Sequence, residues 1–588
     1  MILQKILFPQ SRTDETTTLY YNSDIRIQQL SQSSVCLPAG CRLDLFSYFN
    51  AFSAARWGQF TILNQVRLRA SLSGSGVIRI MYHTEHGADR IDERSFCSQA
   101  AVAYSFSLEL AGRDGFYALE LRSRHGAILH EAAFFADRPP ANEIRIAAAT
   151  CTFRREAYIT ANIEKIRREI LENCNSPLYG RLRFFIVDNG RTLDQRITSH
   201  QDITLFPNAN TGGSGGFTRG LLEALHRQEE LSLTHVLLMD DDISLETESL
   251  ERTFALLSFL KKDFCDGVVG GAMLRNDTPC ILEEAGANWP GRLESMGRGL
   301  DLSKRSSIFQ YHHIKNTEYQ AWWYCCIPLS LAAPDNLPLP FFIHGDDVEY
   351  GLRNFKYVLQ LNGICVWHNT FENKRPSNLE YYDVRNHLIL NSIYRNRISL
   401  FRQILGQFKR STALILRMRY RDVLLNIRGI DDFLKGPKWW AAQDIEALHL
   451  EILKSGYEYL PFPDESIFER YFLDASAPVG KWKRLKCFLT LNGAVFPKKR
   501  QPVVVACGSN PFVLYRRKRA WLWDPASDKA IAVRFSLRQV LNMYFLLFKA
   551  FGRLCRGYSG AGRAYRQDYR RIGTEHFWRR YLKPEETV

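Results

Sequence analysis

The chain reads as an α/β protein, with a parallel sheet covered by helices in the middle, an antiparallel β-sandwich before it and a basic, mainly helical region after it. Three patterns predict this. Short polar–apolar alternations broken by Gly, Asp and Ser fill the first stretch, apolar runs alternate with amphipathic segments in the second, and basic amphipathic segments fill the third. At 588 residues and 68.0 kDa the chain exceeds one ordinary core, so three domains are expected.

Residues 1–140 hold "GVIRIMYH", "SFSLEL" and "GFYALELRS", whose period of two suits strands with one buried face. "ADRPPANE" sets two prolines between charged and small residues and reads as a linker. Residues 141–395 run "IRIAAAT", "AYITANIEKIRREILEN", "RFFIVDNG", "GGFTRGLLEALHRQ" and "THVLLMDDD", strand and helix in turn, which predicts a parallel sheet buried on both faces. Ligands of such sheets bind beyond the carboxyl ends of the strands, where "CTFRRE", "DNG" and "DDD" fall. Residues 396–588 carry segments such as "LFRQILGQFKRSTALILRMRYRDVLLNI" and read as helices.

Composition narrows the function. No apolar run reaches the roughly 18 residues of a membrane span, and "MILQKILFPQSRTDETTT" lacks a long apolar segment with a cleavage site, so the chain is expected to be unexported. Its 13 cysteines form no CxxC pair and include the adjacent Cys325 and Cys326, a usage that suits a reducing cytosol and argues against disulfides or structural zinc. The formal charge is +15, and residues 401–588 alone hold 35 Lys and Arg against 17 Asp and Glu, a net +18. Such a surface attracts an anionic membrane or a nucleic acid, and no nucleic-acid motif accompanies it.

The chemistry concentrates at strand ends. "THVLLMDDDISLE" closes an apolar run with Asp240, Asp241 and Asp242, carboxylates that repel one another unless a cation offsets the repulsion. An Asp-x-Asp pair offers hard oxygen ligands and leaves positions for substrate phosphates. A bare triplet is more often a solvated turn or a helix cap, but the strand before it and a second acidic pair favour the metal. That pair is Asp346 and Asp347 in "PLPFFIHGDDVEYGLRN", at a helix start where the dipole favours acids. A carboxylate there could take the proton from an acceptor hydroxyl. His368, at the end of the apolar run in "GICVWHNTFENK", could complete the metal's ligands, although a lone His so placed is more often a core residue. "NANTGGSGGFTRG" sets Gly212, Gly213 and two further glycines before a helix, an entry that brings N–H groups to a diphosphate or merely makes a turn. Trp322 and Trp323 in "YQAWWYCCIP" read first as core, and otherwise as flat faces for a sugar ring.

In order along the chain, "FSYFNAFSAARW", "TCTFRRE", "GGSGGFTRGLLEAL", "LLMDDDISLE", "YQAWWYCCIP", "PFFIHGDDVEYGLR", "VWHNTF" and "YYDVRN" resemble the motifs of the processive galactofuranosyltransferases that build bacterial galactan, a branch of the inverting GT-A glycosyltransferases. The resemblance implies a Rossmann-like GT-A domain between the sandwich and the helical region. It implies Asp240 and Asp242 as metal ligands with His368, Asp347 as catalytic base, and Asp346 as its neighbour in the acceptor site. Arg155, Asp188 and Asn210, with Gly212, Gly213 and Asp241, fall on the donor side, and Trp322 and Trp323 on the acceptor side. The family's Trp before the paired Asp is Gly345 here, and its acceptor-side Glu has no aligned counterpart, Glu283 and Glu284 being shifted.

The function expected is inverting, Mn²⁺- or Mg²⁺-dependent transfer of galactofuranose from UDP-galactofuranose to a hydroxyl of a lipid-linked cell-surface glycan. A transferase of another nucleotide sugar and a non-catalytic carbohydrate-binding protein are the alternatives. Residues 536–588 join an apolar helical part to a basic one and are interrupted by Lys549 and Arg553, so they suit an interfacial segment better than a span. Peripheral attachment to the cytoplasmic face of the inner membrane is expected, set against a solvated surface packed on the catalytic domain or on another subunit of a homo-oligomer.

Overall fold

Strands of 20 to 23 residues carry the N-terminal part: β1 (Gln65–Thr84), β2 (Gly87–Glu109) and β3 (Phe116–Ala136). Val66, Leu68, Ala70 and Leu72 alternate inward along β1, which pairs antiparallel with both of the others. Shorter strands add to β3, and all nine form one hydrogen-bonded set. The computed structural model describes residues 1–588 except 10–13, 371–375, 395–396, 463–465, 475–478, 495, 526 and 583–588.

A second sheet begins with β4 (Ile146–Thr152), followed by α1 (Glu156–Ile166), β5 (Leu182–Asp188), β6 (Ile203–Pro207), α2 (Gly212–His226) and β7 (His235–Asp240). Then come α3 (Glu248–Ser258), β8 (Val268–Arg275), β9 (Cys325–Pro328), α4 (Asp346–Asn354) and β10 (Val358–His368). The strand order is β6-β5-β4-β7-β9-β8-β10. The first four are parallel, as expected, but β9 is antiparallel to both β7 and β8, so the sheet is mixed. Between β8 and β9 run short strands and the helix Arg305–His312, and the chain re-enters the sheet at the end where β8 left it. The next strand therefore starts from that end and runs the other way.

The two sheets are bolted together by buried polar groups. Arg252 of α3, fully buried, donates to Asn362 O (2.7 Å) on β10 and to Phe49 O (3.1 Å) in the N-terminal part. Asn362 Nδ2 donates to Tyr48 O (3.0 Å) and Ala51 O (2.7 Å), and Tyr20 Oη donates to Glu246 (2.7 Å). Asn50, in the "FSYFNAF" stretch, accepts from Leu7 N and donates to Leu7 O and Tyr20 O. These contacts give the stretch a structural role.

After α5 (Ser377–Ile393) come α6 (Leu400–Leu416), α7 (Tyr420–Leu434), α8 (Lys481–Leu489) and α9 (Leu537–Ile572). Between α8 and α9 lies a three-stranded sheet of Val504–Ala506, Arg519–Asp524 and Lys529–Arg534, which the basic amphipathic pattern did not announce. One face of α9 (Val540, Met543, Leu547, Phe551, Leu554) is buried in the same core as Val423, Ile427 and Ile430 of α7. Among the described residues no helix is long and apolar enough to cross a membrane.

Candidate active site

Three strand ends lie level, since Thr152 of β4 pairs with Asp188 of β5, and Cys151 pairs with Asp240 of β7. The turn after β7 then presents Asp241 and Asp242, and β10 delivers His368 to the same end. The ligand atoms of Asp240, Asp242 and His368 lie within 4.8 Å of one another. His368 Nε2 is 2.9 Å from Asp242 Oδ1, and Arg155 Nη1 bridges Asp241 (3.0 Å) and Asp242 (2.6 Å). Burial pushes Asp240 up to about 7, and its acidic neighbours add to this against the opposing pull of His368 and Arg155. Burial disfavours a charged His368, but Asp242 and Asp240 outweigh it and raise the imidazole above its ordinary range. Two carboxylates and an imidazole, with Asp240 short of positive charge, fit a divalent cation.

The second acidic pair opens α4. Gly345 precedes it in the left-handed region (φ 101°), and Asp346 and Asp347 occupy the first turn. Ser214 Oγ donates to Asp346 Oδ2 (2.7 Å), which ties the pair to the start of α2. Burial, reinforced by Asp346, pushes Asp347 up to about 7.

Glycine density in α2 answers mainly to packing. A Cβ on Gly216 would lie 2.0 Å from Cys151 Sγ and one on Gly220 2.8 Å from Ala149 Cβ, so the helix rests directly on β4. Gly212, with φ +70°, sits against Phe342 O, and Gly213 is open to within 3.9 Å of the same atom. Asn210 Oδ1 accepts from Gly212 N (3.3 Å). The buried Asp188 accepts from Gly190 N (2.9 Å), Thr192 N (2.7 Å) and Leu193 N (2.8 Å), so it shapes the loop beside Arg155. Trp322 lies in the core, edge-on to Phe217 (5.4 Å) and Tyr350 (6.2 Å). Trp323 is half-buried and donates to Gly271 O (3.1 Å).

Residues 3–137 match the family described as Galactofuranosyltransferase 2 N-terminal. Over 453 residues the chain is 25% identical to galactofuranosyltransferase GlfT2 of Mycobacterium tuberculosis, covering 69% of this chain and 67% of that protein. To GlfT2 of Mycolicibacterium smegmatis it is 25% identical over 429 residues, covering 67% and 64%. The chain is a glycosyltransferase similar to the galactofuranosyltransferases. The alignments span about two thirds of these relatives' length. Among solved structures, the mannosyltransferase PcManGT from Pyrobaculum calidifontis, in complex with GDP-Man and Mn²⁺, overlaps 45% of this chain and 68% of its own at 13% identity and a TM-score of 0.28, too loose a match to transfer residues.

One further buried acid was not assigned from the sequence. Glu284 is buried, its Oε2 accepts from Ser295 Oγ, and its Oε1 has no hydrogen-bond partner among the described residues. Burial pushes it up to about 8, and the charge of Asp347 adds to the shift. The Glu283–Glu284 pair was visible in the sequence, but nothing local said which carboxyl turns inward.

Proposed function

We propose that the protein transfers galactofuranose from UDP-galactofuranose to a hydroxyl of a lipid-linked glycan, with inversion at the anomeric carbon. The observation that carries the reading is the pairing of two acidic groups: Asp240, Asp242 and His368 on strand ends, and Asp346–Asp347 on the helix that Ser214 joins to the glycine-rich start of α2. Asp240, Asp242 and His368 would hold Mn²⁺ or Mg²⁺, which when bound supplies positive charge against the diphosphate of the donor. Arg155, Asn210 and the open backbone at Gly213 bind the donor beside Asp188 and Asp241. Asp347 accepts the proton of the attacking hydroxyl, and its elevated pKa matches a base working near neutrality. Asp346, Glu284 and the half-buried Trp323 line the acceptor side, while Trp322 packs behind them in the core. The choice of sugar rests on kinship with the galactofuranosyltransferases. Incubation with a panel of UDP- and GDP-sugars, reading nucleotide release, tests it. UDP-galactofuranose should lead by a wide margin, and equal rates with UDP-galactopyranose would refute the donor assignment.

The same reading sets the protein on the cytoplasmic face of the membrane that holds its acceptor. Leu537, Leu541, Phe545 and Phe548 are exposed at near-helical spacing along α9, with Arg538 and Lys549 beside them. On α8, Trp482 is 84% exposed among Lys481, Lys483, Arg484 and Lys486. Exposed apolar side chains mixed with cations complement an anionic lipid surface.

A further inference from the structure

The stretch that leads into the acidic pair is strained. Phe342 (φ 76°) and His344 (φ 60°) both occupy the left-handed region, where a non-glycine residue persists only if its surroundings impose it. Those surroundings are one motif, "YYDVRN" (381–386), on α5. Tyr382 stacks on Phe342 with ring centroids 5.1 Å apart, and Arg385 Nη2 donates to Phe341 O (2.9 Å). Asn386 Nδ2 donates to Ile343 O and His344 O, both at 2.8 Å. Asp383 Oδ1 meets His344 Nδ1 at 2.7 Å, and the other oxygen of Asp383 accepts from Arg410 of α6 at 2.6 Å. Arg410 also holds Glu380 (2.7 Å).

Four of the motif's six residues thus grip the segment Phe341–His344. The backbone amides and rings account for its shape, but they do not require an ionisable side chain at position 344. We propose that His344, oriented by Asp383, is a positioning residue that holds the Asp346–Asp347 turn in its base-presenting geometry and sets positive charge against that acidic pair. The inference rests on Asp347 being the base. Facing His344 are Asp383 and His387 from α5, Arg410 from α6, and Asp346 and Asp347 from α4. Facing Asp347 are Asp346, His344, Asp240 and Glu284. Burial disfavours a charged His344, yet Asp383 and the acidic pair outweigh it and hold the imidazole above its ordinary range. Asp383, despite burial, is kept far below the usual carboxylate range by Arg410 and His344. A cation between two sets of carboxylates keeps Asp347 ionised at a pH where burial and Asp346 would protonate it.

The test compares His344→Gln, His344→Lys and Asp383→Asn in the full chain, with kcat/KM followed from pH 5.5 to 9 and UDP binding measured by calorimetry. His344→Gln should leave UDP affinity within about twofold while cutting kcat by roughly ten- to a hundredfold. The acidic limb of its kcat/KM profile should move up by about one pH unit, because a carboxyl that loses a nearby cation ionises less readily. His344→Lys keeps the charge and should return the limb towards its original position, and Asp383→Asn should lower kcat with a smaller shift. An unmoved limb in His344→Gln, or a loss of UDP binding in step with the loss of rate, overturns the proposal. Failure of the base assignment reads differently, because Asp347→Asn would then turn over normally in the presence of native His344.

Discussion

Gly216→Ala is a single-methyl change with two measurable consequences. The new Cβ would lie 2.0 Å from Cys151 Sγ and 2.8 Å from Cys151 Cβ, against an ordinary contact of about 3.5–4.0 Å. Helix α2 must therefore rise from β4 by about 1.5 Å or more, or Cys151 must be displaced from a tightly packed position. Overpacking of this kind costs about 1–3 kcal/mol. At roughly 2–4 °C per kcal/mol for a domain of this size, the unfolding transition should fall by about 2–12 °C. The same shift moves Ser214, two residues earlier, away from Asp346, which it now holds at 2.7 Å. Turnover should accordingly fall more than UDP affinity does. Differential scanning fluorimetry and a UDP-release assay on the one variant read both effects, and Cys151→Gly in the same chain should restore much of each. A Gly216→Ala protein with unchanged melting and rate would refute the close approach of α2 to β4.

Asp242→Ala should cost roughly a hundredfold or more in rate and weaken Mn²⁺ binding by calorimetry while leaving circular dichroism unchanged, since a bound cation contributes several kcal/mol; full activity of the native protein in a chelator would sink the metal reading. Asp347→Asn should keep donor binding and lose about 10²–10⁴-fold in kcat, the worth of general-base catalysis. In the native protein the base must be ionised, so kcat/KM should fall about tenfold per unit below pH 7, the value to which burial and Asp346 push Asp347, and a flat profile down to pH 5 would remove it from that role. The protein should co-sediment with anionic vesicles at low salt and release as salt rises, and Leu541→Ser with Phe545→Ser should weaken that binding; a monomer that ignores such vesicles at low salt, or a second copy covering the stripe in solution, refutes lipid as its occupant.

What the sequence makes legible is whatever a short window contains. The apolar run into Asp240–Asp242, the one into His368 and the proline-bounded entry to Asp346–Asp347 each combine strand or helix signal with chemistry in about a dozen residues. The reversal of β9 was hidden because direction is set by where the preceding loop returns, which no periodicity records. The glycines of α2 looked like a phosphate loop, and the purpose of Gly216 appears only when Cys151, 65 positions earlier, is placed beneath it. Glu284 and the His344–Asp383–Arg410 chain are likewise products of long-range packing. Ordinary residues became part of the site because burial removed water from them and left one another as partners.

The bolts between the two sheets also fix the order in which this protein can be finished. Asn362 reaches back 311 residues to the carbonyl of Ala51, and Arg252 reaches back 203 to that of Phe49. At about 5–20 residues per second of synthesis, the N-terminal sheet, complete at Ala136, waits roughly 11–45 s before Asn362 of β10 arrives to donate to Tyr48 O and Ala51 O and Trp367 covers Phe49. Throughout that interval Gln4 of the N-terminal part donates to the carbonyls of Phe49 and Ala51, while the face beside them stays open to water. Residues 46–52 are therefore where a nascent chain is most open to capture by a chaperone, and an N-terminal sheet expressed without its partner keeps that sticky face for good.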